Sequence, residues 1–156
     1  MDLSFKTVGG RFNYRVAAVI CRDGRLLTIQ EPNSSYSYLP GGRVAMKETA
    51  EEAILREVFE ETGLQAELIR PLWLNQAFFT EDQTKESFHE ICLYFLVELL
   101  VADTEDFLVM EHGRVNQFKW LAFEELQETY FYPEFLKNEI FQLPNHLTLR
   151  VEREKD

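Results

Sequence analysis

Residues 41–64, GGRVAMKETAEEAILREVFEETGL, decide how the rest of the chain is interpreted. Residues 50–61 contain no Gly or Pro and many strong helix formers, which predicts a helix. Thr49 and Glu52 form a capping-box pattern at its start, in which their side chains satisfy early backbone amides. Gly63 stands where a left-handed residue commonly ends a helix. We therefore expect a glycine-containing loop followed by a well-capped helix.

The predicted helix carries three glutamates on one face. Glu57, Glu60 and Glu61 are spaced i, i+3 and i+4, and Ala50 and Ala53 share their face, where small side chains leave room for a bulky ligand. Like charges at this spacing destabilise a helix by roughly 0.2–0.5 kcal/mol per pair. A hard cation such as Mg²⁺ or Mn²⁺, which prefers carboxylate oxygens, reverses that repulsion. An ordinary solvated face is the alternative, because short acidic patterns have many false positives. The adjoining face is apolar and is expected to pack into the core; it consists of Ile54, Leu55, Val58 and Phe59.

The residues around these glutamates favour the metal site. They follow the pattern Gly-x5-Glu-x7-Arg-Glu-U-x-Glu-Glu-x-Gly-U over residues 42–64, where U is aliphatic. The matching residues are Gly42, Glu48, Arg56, Glu57, Val58, Glu60, Glu61, Gly63 and Leu64. The segment resembles the complete Nudix box of MutT-like hydrolases, which act on a nucleoside diphosphate linked to another moiety X.

The resemblance implies a role for each charged residue of the box. Glu57, Glu60 and Glu61 would bind the metal, which is Mg²⁺ or alternatively Mn²⁺. Glu57 is also the leading general-base candidate within the box. Arg56 would orient Glu57 through a charge-assisted hydrogen bond. Glu48 would support the loop or a further metal.

The loop at residues 40–42 precedes the helix, and glycines let a backbone approach a ligand closely. By resemblance, a carbonyl of this loop joins the metal shell, and Gly41 is the residue we choose. Arg43 follows directly and could bind a substrate phosphate, although a solvated surface arginine fits the sequence as well. Tyr38 is a candidate for stacking on a nucleobase, with core packing as the alternative.

A further ligand or base in such proteins often comes from a loop after the box. Glu111, in the segment Met-Glu-His-Gly at residues 110–113, is our candidate for both roles. His112 is an alternative base, and Glu90, inside a strand pattern, is a rival to Glu111. Glu111 and His112 also fit a solvent-exposed loop.

The resemblance implies a metal-dependent pyrophosphohydrolase in which water attacks one phosphorus of a nucleotide substrate's diphosphate. The alternative is a Nudix-fold sensor or binding module that holds a nucleotide metabolite without cleaving it, but the intact box favours the enzyme. A third class, an acidic cation-binding or protein-interaction module, has no need of Arg56 or the glycines. ADP-ribose hydrolases of the family often carry a Pro where this chain has Thr80, and diadenosine polyphosphate hydrolases often carry a Tyr near that point, where this chain has Thr80, Glu81 and Asp82. The sequence therefore leaves the identity of the moiety X undetermined.

Composition limits the partners. The 156 residues predict one domain over residues 1–156. A net charge of −11 argues against unassisted binding of DNA or an acidic membrane, and it makes a cation necessary for an anionic substrate. Residues 1–4 lack the basic start and apolar run of a secretory signal, so we expect a cytoplasmic protein. Dimers are common in such folds, so the sequence leaves open whether the protein forms a homodimer.

Strand patterns on both sides of one central helix, with short helices near the end, predict an α+β or mixed α/β class. Residues 15–21 and 25–30 flank an Asp-Gly step, which is a strong hairpin signal. Residues 66–79 are expected to be extended, with Pro71 marking an edge or a break. Residues 88–99 predict a long strand. The Nudix resemblance sharpens this class to an α/β/α sandwich around a mixed β-sheet.

Overall fold

The computed structural model describes residues 1–101, 103 and 105–154. Within these residues the chain forms ten strands and three helices. The strands are β1 (Ser4–Thr7), β2 (Gly10–Val19), β3 (Cys21–Arg22), β4 (Arg25–Gln30), β5 (Gly41–Arg43), β6 (Ala66–Thr80), β7 (Ser87–Leu99), β8 (Phe107–Glu111), β9 (Arg114–Ala122) and β10 (Thr148–Arg153). The helices are α1 (Ala50–Thr62), α2 (Phe123–Leu126) and α3 (Leu136–Glu139).

The strands form two sheets. The larger has the order β1-β2-β7-β6-β10, with β5 also paired to β2. It is mixed, because β2 runs parallel to β7 and β10 runs parallel to β6, whereas β6 and β7 are antiparallel. The smaller sheet, β3-β4-β9-β8, is antiparallel throughout. The long antiparallel pair β6–β7 is therefore the centre of the larger sheet.

Two cores separate the layers. Successive side chains of a strand point to opposite faces, so β2 gives Val16 and Ala18 to one core and Val19 to the other. The first core contains α1, and the second contains residues of α2 and α3, such as Leu126 and Leu136. The predicted α/β/α sandwich around a mixed sheet is confirmed. In the described part of the chain, no helix combines the length and apolar character needed to cross a membrane.

Helix α1 begins and ends as its sequence predicts. The Thr49 hydroxyl accepts a hydrogen bond from the Glu52 amide at 3.0 Å, and the Glu52 carboxylate accepts one from the Thr49 amide at 3.3 Å. Gly63 adopts the left-handed conformation at φ 74°, and its amide donates to the Phe59 carbonyl. The capping box and the C-terminal glycine therefore fix where the acidic face starts and stops.

The packing of α1 corrects two expectations. Ala50 and Ala53 are buried in the first core and do not face a ligand. Their small side chains instead let the helix pack closely against β2 and β5. Ile54 and Val58 are fully buried as expected, but Phe59 is 49% exposed, because it lies at the margin of the buried face. Small residues on a helix thus mark close packing as readily as ligand access.

The Asp-Gly turn is present, but its hairpin is short. Asp23 and Gly24 both have positive φ, and Arg22 pairs with Arg25 across the turn. The expectation that residues 15–21 form the first arm is wrong for most of that run, because the chain up to Val19 belongs to β2 and pairs with β7. Alternating sequence predicts a strand but does not select between two sheets.

The predicted irregularity at Pro71 is confirmed. The β6–β7 register shifts between Leu68 and Arg70 and again between Pro71 and Trp73. Pairing of β6 with β10 starts only at Trp73, so Pro71 has a strand partner on one side. Proline has no amide hydrogen to donate, and this position does not require one on the open side.

The capping box yields a prediction about stability. We expect Thr49→Ala to lower the free energy of unfolding by about 1 kcal/mol, because the Glu52 amide loses its acceptor. Urea unfolding followed by circular dichroism measures this loss. Thr49→Ser keeps the acceptor and should remain within a few tenths of a kcal/mol of the wild-type protein. Equal destabilisation by both substitutions would contradict the capping role.

Candidate functional site

A cleft of about 1510 Å³ lies between the loop before α1, the β8–β9 turn and one face of the larger sheet. The sequence-predicted residues that line it are Tyr38, Gly41, Arg43, Glu57, Glu61, Glu111 and the two rival candidates His112 and Glu90. Arg56 and Glu60 lie outside its wall. The fold thus brings the second half of α1 together with a turn about fifty residues later in the chain.

Arg56 connects the helix to the loop that precedes it. Its Nε and Nη2 donate to the two oxygens of Glu48 at 2.6 and 2.8 Å, and Nη2 also donates to the Arg43 carbonyl at 3.2 Å. Nη1 donates to Glu57 Oε1 at 2.9 Å and to Glu60 Oε2 at 3.3 Å. The hydrogen bond from Arg56 that would orient Glu57 is therefore present.

Glu48 supports the loop. In addition to its two bonds from Arg56, it accepts a hydrogen bond from the Ala45 amide at 3.0 Å. The hydrogen bond from Arg56 is the main reason that the pKa of the Glu48 carboxyl lies below its ordinary value. Glu48 therefore stays ionised and holds the segment between β5 and α1 in place.

The two glycines of β5 make different close approaches. A Cβ on Gly41 would lie 2.2 Å from the Val16 carbonyl oxygen, whereas a Cβ on Gly42 would lie 2.4 Å from Glu57 Cδ. The Gly41 amide also donates to Glu61 Oε1 at 2.8 Å. Gly41 thus allows β5 to pack on β2, and Gly42 leaves the space that the Glu57 carboxylate occupies.

Burial and mutual repulsion disfavour negative charge in this part of the cleft. The pKa of Glu61 is raised to about 8, first by burial and then by the charges of Glu57 and Glu111, against the hydrogen bond from the Gly41 amide. Burial also raises the pKa of Glu57, although Arg56 acts in the opposite direction. A bound cation would relieve both effects, because it stabilises the ionised carboxylates.

The donor types fit a hard divalent cation, since Glu57, Glu61 and Glu111 supply carboxylate oxygens in one cleft. In residues 1–101, 103 and 105–154, however, no three His, Cys, Asp or Glu side chains lie close enough together to hold a metal ion. Glu60 is paired with Arg56 and has a side chain that is 51% exposed. The structure therefore brings three of the four predicted carboxylate ligands to one cleft, and leaves Glu60 at its outside.

The remaining predicted residues have partners of their own. The Tyr38 hydroxyl donates to Glu31 at 2.8 Å, and burial is the main cause of its raised pKa. His112 lies in the β8–β9 turn with a side chain that is 90% exposed, and its Nε2 is 3.7 Å from Glu111 Oε1. Arg43 faces the cleft, while its carbonyl accepts from Arg56. Tyr38 and Arg43 are thus at the cleft, as a substrate-binding role requires.

Several cleft residues were missed by the sequence analysis. The sheet contributes Arg15, Asn75 and Glu152, and the segment before α3 contributes Tyr130 and Tyr132. A polar residue at a buried position among apolar neighbours was an available signal for Asn75 on β6. Arg15 and Glu152 stand on strands with several other polar residues, so their sequence context does not single them out. No such signal marks the tyrosines, because aromatic residues in irregular segments usually pack in cores.

Comparison with protein-family models agrees with this geometry. The model described as NUDIX domain matches residues 11–139, which is well over half of the chain. The chain belongs to the Nudix family. Its match to the NUDIX model includes the box and also the β8–β9 turn that carries Glu111. The family resemblance seen in the box is therefore confirmed.

Curated Nudix relatives differ in what their names say they act on. An RNA pyrophosphohydrolase of Sodalis glossinidius is 30% identical over 122 residues, covering 69% of this chain and 68% of that protein. An ADP-ribose pyrophosphatase of Methanocaldococcus jannaschii is 30% identical over 115 residues, covering 70% and 66%. In two further relatives, from Caenorhabditis elegans and Streptomyces ambofaciens, the match spans only 22% and 35% of the relative's length. The names of these relatives therefore do not agree on one substrate.

Solved structures support the fold. The crystal structure of a MutT protein from Bacillus halodurans aligns with a TM-score of 0.65 at 14% sequence identity, covering 92% of this chain and 90% of that one. At such low identity the likeness shows the Nudix fold alone. Specificity has to be inferred from the cleft of this chain.

The two glycines of β5 give a matched pair of variants. We expect Gly41→Ala to lower the free energy of unfolding by about 1–3 kcal/mol, because its methyl group would collide with the β2 backbone. Gly42→Ala should cost much less, because it meets only the end of the flexible Glu57 side chain. Urea unfolding of both variants measures the difference. Equal losses would show that the Gly41 contact is not a packing constraint.

The raised pKa of Glu61 predicts a pH-dependent stability. Its folded value of about 8 lies above the ordinary value of 4.5, so the folded protein keeps a proton that the unfolded chain releases. This contribution is complete below the unfolded pKa and is lost as the pH rises through about 8. Glu61→Gln, which stays neutral, should therefore gain in melting temperature relative to the wild-type protein as the pH rises.

The measurement is the melting temperature of both proteins in a chelating buffer from about pH 5 to pH 9. Glu67 is exposed on β6, so Glu67→Gln serves as the control for the loss of one exposed carboxylate. A difference between Glu61→Gln and the wild-type protein that stays constant over this range would mean that Glu61 titrates normally.

Proposed function

We propose that the chain is a metal-dependent pyrophosphohydrolase that cleaves the diphosphate of a nucleoside diphosphate linked to another moiety. Membership of the Nudix family supports the reaction class. One structural observation supports it further: Glu57, Glu61 and Glu111 line the same cleft, and Arg56 holds Glu57 there. Within this proposal, residues 1–156 act as one domain in the cytoplasm.

Glu57, Glu61 and Glu111 lie farther apart than metal ligands do, and they would have to draw together to hold Mg²⁺ or Mn²⁺ with the carbonyl of Gly41. Glu60 would join them on exchanging its bond from Arg56 for the cation. A bound divalent metal neutralises phosphate oxygens and makes water more acidic. It also compensates the repulsion between an anionic substrate and a protein of net charge −11.

Glu57 would be the general base. Arg56 fixes the position of its carboxylate, and the space at Gly42 keeps that position free. Glu111 and His112 are the alternative bases, since both line the same cleft.

Arg15 and Arg43 would hold the diphosphate. They lie opposite each other on β2 and β5, and both side chains face the cleft. Guanidinium groups bind phosphate oxygens through paired hydrogen bonds, so two of them could fix a diphosphate against the carboxylates. Positioning of this kind and charge stabilisation supply most of the catalysis expected for phosphoryl chemistry.

The decisive test compares the wild-type protein with Glu57→Gln in the presence of Mg²⁺ or Mn²⁺. The substrates are nucleoside triphosphates, dinucleotides, nucleotide sugars and capped RNA, and anion-exchange chromatography detects cleaved diphosphates. We expect wild-type turnover that requires the metal, and a loss of about 10²–10⁴-fold in kcat for Glu57→Gln. Glu67→Gln removes an exposed carboxylate and should keep full activity.

The other outcomes separate the alternatives. Tight nucleotide binding without turnover across the panel would identify a sensor. Turnover that Glu57→Gln leaves unchanged would remove Glu57 from the chemistry and direct attention to Glu111 and His112. Turnover that survives a strong chelator would refute the metal requirement.

A further inference from the structure

The edge of the larger sheet at β10 has no strand partner within the part of the chain that the structure describes. Strand β10 is the last strand of its sheet, and it pairs with β6 in a parallel register without interruption. Such edges present unpaired amides and carbonyls, and most proteins shield them with proline, lysine, a bulge or a covering segment. The sequence of β10, TLRVER, contains neither proline nor lysine, and its register contains no bulge. Another strand can therefore pair with this edge.

The backbone of β10 directs alternate residues toward the free edge. The Glu154 amide, directly after the strand, donates to the Phe78 carbonyl of β6. The hydrogen-bonding groups of the even-numbered residues therefore point toward β6. Because this direction alternates along a strand, the amides and carbonyls of Leu149, Val151 and Arg153 point outward.

Two of these outward residues carry exposed apolar side chains. Leu149 and Val151 are 69% and 57% exposed. Leu149 is in register with Leu74, Leu93 and, through them, with Val16, which belongs to the core beneath α1. Side chains in register share one face of a sheet, so Leu149 and Val151 lie on the α1 face, beyond the area that the helix covers. An apolar sheet margin left bare beside a helix favours a contact with another chain.

A second copy of β10 meets the requirements of this edge. Two copies related by a twofold axis perpendicular to the sheet run antiparallel, and each residue then makes the same contact in both subunits. In an antiparallel pair, residues whose hydrogen-bonding groups point toward the partner stand directly opposite each other. Leu149, Val151 and Arg153 of one copy would therefore pair among themselves with the same three residues of the other.

Charge selects one register for this pair. With the axis at Val151, Arg150 stands opposite Glu152 of the partner subunit, and Glu152 stands opposite Arg150 of the partner subunit. Opposite charges in register stabilise a sheet, whereas like charges destabilise it. An axis one residue earlier sets two copies of Arg150 against each other, and an axis one residue later does so with Glu152. The register at Val151 also gives three outward pairs that exchange two main-chain hydrogen bonds each, about six in total.

Both charged residues of this register are already held in place. Arg150 Nη1 donates to Glu139 at 2.8 Å, and its guanidinium carbon lies 3.8 Å from the centroid of the Phe135 ring. Glu152 Oε1 accepts a hydrogen bond from Asn75 at 2.6 Å. These contacts restrict the two side chains before association, which lowers the entropy that the pairing costs. Glu152 also lines the cleft, so the free edge and the cleft share β10.

The charge of β10 differs from that of the whole chain. A net charge of −11 disfavours contact between two copies over most of the surface. Strand β10, in contrast, contains two arginines and one glutamate. Strand pairing buries less than the roughly 1,200–2,000 Å² of a standard interface, so we expect a dissociation constant in the micromolar range.

We propose that two copies of the chain form a dimer through antiparallel pairing of their β10 strands, with Val151 on the twofold axis. The two larger sheets then continue into each other across the interface. The exposed side chains of Leu149 and Val151 in both copies lie beside one another on the α1 face.

Sedimentation velocity from about 1 to about 200 µM protein tests the association, because this range spans micromolar dissociation constants. The wild-type protein should show a dimer whose fraction rises with concentration. Val151→Asp sets two carboxylates against each other on the axis and should stay monomeric. Leu108 is 66% exposed on β8, the edge strand of the smaller sheet, so Leu108→Asp is the matched control and should keep the wild-type dimer.

Two cysteine variants test the register without disturbing the charges. In the proposed dimer the two copies of Val151 have Cα atoms roughly 5.5 Å apart, a distance that a disulfide accepts. The two copies of Leu149 are four residues out of register, roughly 14 Å apart, which no disulfide spans. Under mild oxidation Val151→Cys should therefore give a covalent dimer on a non-reducing gel. Leu149→Cys should not, and neither should the wild-type protein with its native Cys21 and Cys92.

Three results would overturn the proposal. The first is a wild-type protein that stays monomeric over the whole concentration range. The second is a dimer that Val151→Asp leaves intact or that Leu108→Asp disrupts instead, which would place the contact elsewhere. The third is a disulfide that forms with Leu149→Cys as readily as with Val151→Cys, which would exclude an axis at Val151. The cross-linking result decides the register should Val151→Asp fail to fold.

Discussion

The guanidinium of Arg56 is the contact on which the geometry of the cleft depends. It donates to both oxygens of Glu48, to the Arg43 carbonyl and to Glu57, so a single side chain connects the loop, the helix and the carboxylate that faces the cleft. Arginine suits this position because its planar group has five donors and does not lose its proton in proteins. A lysine has one donor centre and could not hold these directions together.

That network positions a site that the rest of the fold completes. Helix α1 supplies Glu57 and Glu61, the β8–β9 turn supplies Glu111, and the larger sheet supplies Arg15, Glu90 and Glu152. The two sheets hold these elements through the α1 core, in which Ile54 and Val58 are fully buried. The close packing of α1 on β2 and β5 explains why Gly41 lies where a side chain would collide with the backbone.

Negative and positive side chains alternate along the cleft. Carboxylates converge near the box, where burial and mutual repulsion raise the pKa of Glu61 to about 8. Arg15 separates them from a second pair of carboxylates, Glu90 and Glu152, on the sheet.

Local sequence determined the helix α1 with both of its caps, the family, and the type of residue that faces the cleft, because these features depend on spacings within about twenty residues. It predicted that Glu57, Glu60 and Glu61 share a face, but not that Glu60 would pair with Arg56 while Glu61 pairs with the Gly41 amide. It gave Ala50 and Ala53 a place near the ligand, whereas packing against two strands buried them. The tertiary structure alone decided that β2 joins β7, and therefore that Arg15, Asn75, Glu90 and Glu152 form one surface. Strand partners distant along the chain are selected by the total burial of both cores, a quantity that no local pattern contains.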